Sequence, residues 1–138
     1  MQTVTDEDGE RLLVVKRAAE ATLVRDPETG EESYREPETL TPTDDAPLST
    51  AADAVDPAVR RAVLACPDDR ALGLLVELVD RGPTAAETLT TAYDLCESDL
   101  LGLLGEFRAA GLVREATVAG RPGYEPTDDG EHAVSRLR

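Results

Sequence analysis

The residues of this chain that could do chemistry are few and far apart. His132 is the only histidine, and Cys66 and Cys96 are the only cysteines. None of the three has a His, Cys or Glu partner at a metal-ligand spacing, and no Gly-rich phosphate loop or nucleophile elbow is present. A lone histidine and two isolated thiols give no constellation for catalysis, so no enzyme, cofactor or metal is expected. What remains is the chemistry of holding phosphate. Arg108, Arg114 and Arg121 carry planar donor forks that match phosphate oxygens. Thr84, Thr88, Thr90 and Thr91 supply hydroxyl donors close together in sequence.

These side chains fall in a stretch, residues 70–138, whose pattern predicts helix, helix, helix, strand, turn, strand, helix. Leu72, Leu75, Val76 and Val79 lie at i, i+3, i+4, i+7, one face of a first helix. Gly82-Pro83 ends it, and Asp68 or Asp69 can cap its start. Thr84, with Glu87 three residues on, has the form of a capping box for a second helix carrying Leu89, Ala92 and Tyr93 inward. The third helix opens at Glu97 or Ser98, buries Leu100, Leu103, Leu104 and Phe107, and closes at Gly111. Its opposite face would be Ser98, Gly102, Gly105, Glu106 and Ala109, which is small and neutral to acidic. Leu112–Val118 then reads as a strand, Gly120, Pro122 and Gly123 as a turn, and Tyr124–Pro126 as a short return strand. Thr127 caps a last helix whose first turn holds Asp128 and Asp129, at the positive end of the helix dipole.

The run LLGEFRAAGLVREATVAGRPGYEPTDDGEHAV (103–134) resembles the winged helix-turn-helix of archaeal and bacterial transcription regulators. The likeness lies in a helix followed by a β-wing, and in an aromatic residue and Thr-x-x-Gly leading into the final helix. It implies a DNA-binding transcriptional regulator with double-stranded DNA as partner. The third helix would enter the major groove and the wing would meet backbone or minor groove. On that basis the expected DNA contacts are Thr84, Thr88, Ser98, Gly102, Gly105, Arg108, Arg114 and Arg121, with Arg121 at the wing tip. Regulators of this kind commonly dimerise outside the reading head, so a homodimer is expected. The alternative is a winged-helix module that binds protein through the small face of the third helix. The charge on that face in three dimensions discriminates between them without settling the choice, because the fold resemblance also weighs towards DNA. Convergence of Arg60, Arg61, Arg108, Arg114 and Arg121 on one surface favours DNA, and dispersal among acids favours protein.

Composition bounds the setting. Asp and Glu total 29 against 14 Lys and Arg, for a net charge of −15, and Lys16 is the only lysine. This acid-rich, Lys-poor balance resembles the proteins of salt-accumulating archaea, where a charged surface maintains solubility. In molar salt, counterion release contributes little to DNA affinity, so a weak basic patch would suffice. The acidic start MQTVTDEDGE is unlike a secretory signal, and no apolar run is long enough to span a bilayer, so a cytoplasmic protein with no membrane association is expected. No small-molecule effector is identifiable.

The whole chain is expected to be α+β, in two parts. Residues 1–46 would be a β-meander with an acidic, Pro-rich linker. After a polar lead-in over 1–9, strands are predicted near 11–17, 21–25 and 31–36, with Asp26-Pro27-Glu28-Thr29-Gly30 as a turn. Residues 37–47 read as linker. Residues 47–138 would hold the winged helix-turn-helix behind two short helices. The first of these presents Leu48, Ala51, Ala52 and Val55 on one face, and the second, restarting at Asp56-Pro57, presents Val59, Ala62 and Val63.

Overall fold

A computed structural model describes residues 1–138. The chain is α+β, with six helices and two antiparallel sheets. It divides into two compact units, Met1–Asp56 and Pro57–Arg138. The expected break at 46/47 falls inside the first unit.

The first unit is a five-stranded sheet. Its strands are β1 (Gln2–Thr5), β2 (Arg11–Arg17), β3 (Thr22–Arg25), β4 (Glu32–Arg35) and β5 (Thr41–Pro42), in the order β4-β3-β2-β1-β5. The polar lead-in is therefore a strand. Gln2–Thr5 pairs with β2 on one side and β5 on the other, and Val4 is buried with Leu12, Val14 and Val24. The expected linker is also structured. It forms a 3-10 turn at Pro37–Thr39 and then β5, an edge strand that tolerates Pro42. Helix α1 (Pro47–Asp53) inverts its expected face: Leu48 is exposed and Thr50 is buried. The reason is a hydrogen bond between the buried hydroxyls of Thr3 and Thr50, 2.9 Å apart, which anchors α1 to β1. Two turns close the sheet in the same way. Asp6 Oδ1 accepts from the backbone N–H of Asp8 and Glu10, and Asp26 Oδ1 from that of Glu28. The Glu10 N–H foremost, with the Asp8 N–H and Arg35, holds the Asp6 carboxyl below the usual carboxylate range.

The second unit begins with α2 (Pro57–Ala65) and α3 (Asp69–Arg81). There follow a two-residue strand, β6 (Thr84–Ala85), then α4 (Ala86–Tyr93), α5 (Glu97–Ala109), the hairpin β7 (Val113–Val118) and β8 (Arg121–Pro126), and α6 (Asp128–Leu137). The core joins Ala58, Ala62 and Ala65 of α2 to the leucines of α3 and α5, Leu89, Phe107, Leu112, Ala133 and Val134.

The starts of α3 and α6 follow the expected caps, but two buried faces are rotated. On α3 the buried stripe is Ala71, Leu74, Leu75 and Leu78, while Leu72 is exposed and Val76 and Val79 are half-buried. On α2 it is Ala58, Ala62 and Ala65, with Val63 exposed. Asp68 caps α3 through Ala71 N–H at 2.9 Å. Thr127 caps α6 through Gly130 N–H at 3.1 Å, and its hydroxyl donates to the Gly111 carbonyl at 2.6 Å.

The hairpin is tighter than expected. Ala119 and Gly120, with φ of 50° and 78°, form a two-residue turn of the kind that matches strand twist. Pro122 and Gly123 thus lie within β8, and Gly123 packs so closely on Thr84 that a Cβ would stand 2.5 Å from the Thr84 carbonyl oxygen. β8 is the central strand of the order β6-β8-β7.

Candidate nucleic-acid interface

The expected contact residues lie on α4, α5 and the hairpin, with one exception. Thr84 is not on the second helix and does not cap it. It is buried in β6 opposite Tyr124, and its hydroxyl donates to the Gly82 carbonyl at 2.9 Å. Helix α4 starts at Ala86, with Ala85 at its cap position and no side-chain cap. Pairing with β8 draws Thr84 inward and removes it from any surface. Thr88 is exposed on α4. Thr90 and Thr91 turn their hydroxyls back to the Glu87 carbonyl, at 2.9 and 3.1 Å.

On α5, Ser98, Gly102, Gly105, Glu106 and Ala109 are all exposed, as their spacing requires. A Cβ at Gly102 or Gly105 would meet nothing within 4 Å, so both positions open onto free space. Leu101 is exposed beside them. The Ser98 hydroxyl lies 3.4 Å from Cys96 Sγ. Both cysteines are free, and burial followed by the charge of Asp68 pushes the Cys66 thiol up.

The arginines are dispersed among acids. Arg108 Nη1 donates to Glu115 Oε1 at 2.9 Å, linking α5 to β7. Arg114 Nε donates to Glu125 Oε1 at 2.8 Å, a direct cross-strand pair. Arg121 Nη1 donates to Glu87 Oε2 at 2.9 Å, linking the start of β8 to the first turn of α4. Arg61 pairs with Asp129 at 2.8 Å, and Arg70 lies 3.5 Å from Asp99. Arg121 itself is the first residue of β8 opposite Val118, one step back from the turn. The pairs on α5 and the hairpin are exposed on the arginine side, where water screens them, so they add little to stability.

Beside these pairs runs a groove of about 610 Å³ between α4, α5 and β8. Leu100, Leu101, Pro122 and Tyr124 line it, with Glu87, Glu97 and Arg121 at its edge. The glutamate partners were not singled out from sequence. The Arg114–Glu125 pair was within reach, because a two-residue turn at 119–120 fixes the register that sets them opposite. The Glu87–Arg121 pair joins positions 34 residues apart and has no local signal.

Comparison with solved structures finds a likeness to the crystal structure of a transcriptional regulator HlyU from Vibrio vulnificus CMCP6. The TM-score is 0.50 at 22% sequence identity, over 65% of this chain and 88% of that one. At this identity the likeness is one of fold. No curated protein matches the chain. No helix is long and apolar enough to cross a membrane. A family model matches residues 1–138 from end to end, and the chain belongs to that family, described as Family of unknown function (DUF7346).

Proposed function

We propose that this chain is a transcription regulator whose second unit is a winged helix-turn-helix head for double-stranded DNA. The observation that carries this is the succession α4, α5 and tight hairpin, which sets an exposed, small-residue helix face beside an arginine-bearing wing. The fold likeness to a transcriptional regulator supports the same class. In this arrangement Ser98, Gly102 and Gly105 let α5 lie close in the major groove. Thr88, Arg108, Arg114 and Arg121 hold phosphates. With no base-reading Arg, Asn or Gln on the outward face of α5, affinity rests on backbone contact and DNA shape. The acidic, Lys-poor surface supports work at high salt in an archaeal cytoplasm. The exposed apolar side chains Val63 and Leu64 on α2 and Leu137 on α6 support a homodimer that would cover them.

Replacing Arg114 and Arg121 together by alanine is expected to weaken binding to every duplex sequence alike. The loss should be about tenfold, the sum of two exposed charged contacts. Fluorescence anisotropy on several unrelated duplexes reads this directly, and an unchanged affinity would remove the wing from the interface.

A specific observation favours a second function, protein binding through the small face of α5. Every arginine on α5 and the hairpin is paired with a glutamate, so no free cationic surface faces outward. For this function the double alanine variant would leave partner binding intact, whereas Gly102→Glu on the small face would abolish it in a pull-down.

A further inference from the structure

The groove of about 610 Å³ is walled by α4, α5 and β8. From α5 come Glu97 and Leu101, four residues apart and so on one flank of the helix. From α4 come Ala86 and Thr90, at the same spacing. From β8 come Pro122 and Tyr124, two residues apart and so on one side of the strand. Leu101 is 44% exposed there, an apolar side chain that the chain itself leaves uncovered. The volume lies in the range of small-molecule sites.

The charge of the groove has one sign. Three charged side chains line it, Glu87, Glu97 and Arg121. Arg121 Nη1 is held by Glu87 Oε2 at 2.9 Å, so that pair is neutral as a whole. Glu97 has no such cationic partner, and its carboxylate stands uncompensated beside Leu100, Leu101 and Pro122. Those three side chains give a metal ion no ligand. They suit instead a cation whose charge is carried by hydrocarbon, which loses little hydration on entering an apolar site. Tyr124 adds an aromatic ring, which attracts such a cation through its π face.

We infer that this groove binds an apolar organic cation, with Glu97 as its counter-ion, Leu101 and Pro122 as apolar walls, and Tyr124 as its aromatic contact. Ligand binding here is independent of the DNA-binding function proposed above. An anion of the same size and shape would meet the same walls but an unpaired carboxylate, so charge sets the choice between them.

The test is isothermal titration calorimetry of the full-length protein with tetraphenylphosphonium and with tetraphenylborate, which match in size and shape and differ in the sign of charge. The titration is made in about 1 M NaCl, where a screening length of about 3 Å removes the general pull of an acidic surface on cations. The phosphonium is expected to bind at one site with a Kd of about 0.1 mM, and the borate at least about tenfold more weakly. Glu97→Gln should weaken the phosphonium about fivefold and narrow its advantage over the borate. Leu101→Ser should weaken both ions about fivefold and leave their ratio unchanged. Both positions are exposed, and thermal melts establish that the variants are folded. Two controls lie outside the groove: Glu106→Gln, the same charge change on α5, and Leu48→Ser, the same apolar loss in the first unit. Each should leave the affinity within about 1.5-fold of the natural protein. No binding of the phosphonium up to several millimolar, equal binding of the two ions, unchanged affinity in Glu97→Gln and Leu101→Ser, or an equal loss in the controls would each overturn the site. None of these outcomes bears on DNA binding, which is read separately by anisotropy.

Discussion

Phe107→Ala should cost about 4 kcal/mol of stability in the second unit, a large share of what a small domain has. Phe107 is the chain's only phenylalanine and is fully buried on α5. It packs in one cluster with the α3 leucines, Leu89, Leu112 and the Ala133–Val134 segment of α6. Protein cores are close-packed, so the space left by the ring is refilled only in part. The loss combines transfer of the ring to water with the cavity it leaves. Urea unfolding followed by helical circular dichroism measures it as a lowered midpoint with an unchanged slope. A loss below about 1 kcal/mol would mean that Phe107 lies outside the core.

Gly130→Ala is the second large effect, and here the sign carries the information. Gly130 lies in the first turn of α6, where helix propensity alone predicts a gain of up to about 1 kcal/mol for alanine. The structure predicts a loss instead. A Cβ at Gly130 would stand 2.1 Å from the Leu112 carbonyl oxygen, which is backbone and also accepts the Thr127 N–H at 3.0 Å. Relief requires α6 to lift from the β7 entrance. That would also strain the bond from the Thr127 hydroxyl to the Gly111 carbonyl and the packing of Ala133 and Val134. A cost of about 3 kcal/mol is expected, the upper part of the usual overpacking range. A thermal midpoint that rises rather than falls would show that α6 does not sit this closely.

The order of helices and strands in residues 57–138 was legible because its stop signals are chemical. Gly82-Pro83, Gly111 and Thr127 each act through local backbone geometry, and each falls where an element ends or begins. Which face a helix buries was less legible. On α3, Leu72-Leu75-Val76-Val79 and Ala71-Leu74-Leu75-Leu78 both satisfy a helical stripe, and only tertiary contacts choose the second. On α2, which packs against α6, the core takes three alanines while the larger Val63 is exposed. Polar strands were the other blind spot. Gln2–Thr5 and Thr41–Pro42 have almost no apolar pattern; the first is a strand because it pairs with β2, and the second because it pairs with the first.

The candidate interface divides in the same way. The exposed face of α5 follows from helical spacing alone. The state of the arginines depends on partners brought near by the hairpin register and by α4, so a count of cations could not reveal it. Thr84 was misplaced because its apparent capping box competes with strand pairing to Tyr124, and the pairing wins.

The most direct test of DNA binding is capture of sheared genomic DNA by the full-length protein in molar KCl, followed by sequencing of what is retained. Recovery of DNA is the predicted result. A shared motif would mark a sequence-specific regulator, with paired half-sites reporting the dimer. Even recovery would mark binding by backbone and shape. No recovery in molar KCl and none at reduced KCl, with the protein verified as folded, would contradict the account and leave α5 as a protein-binding face.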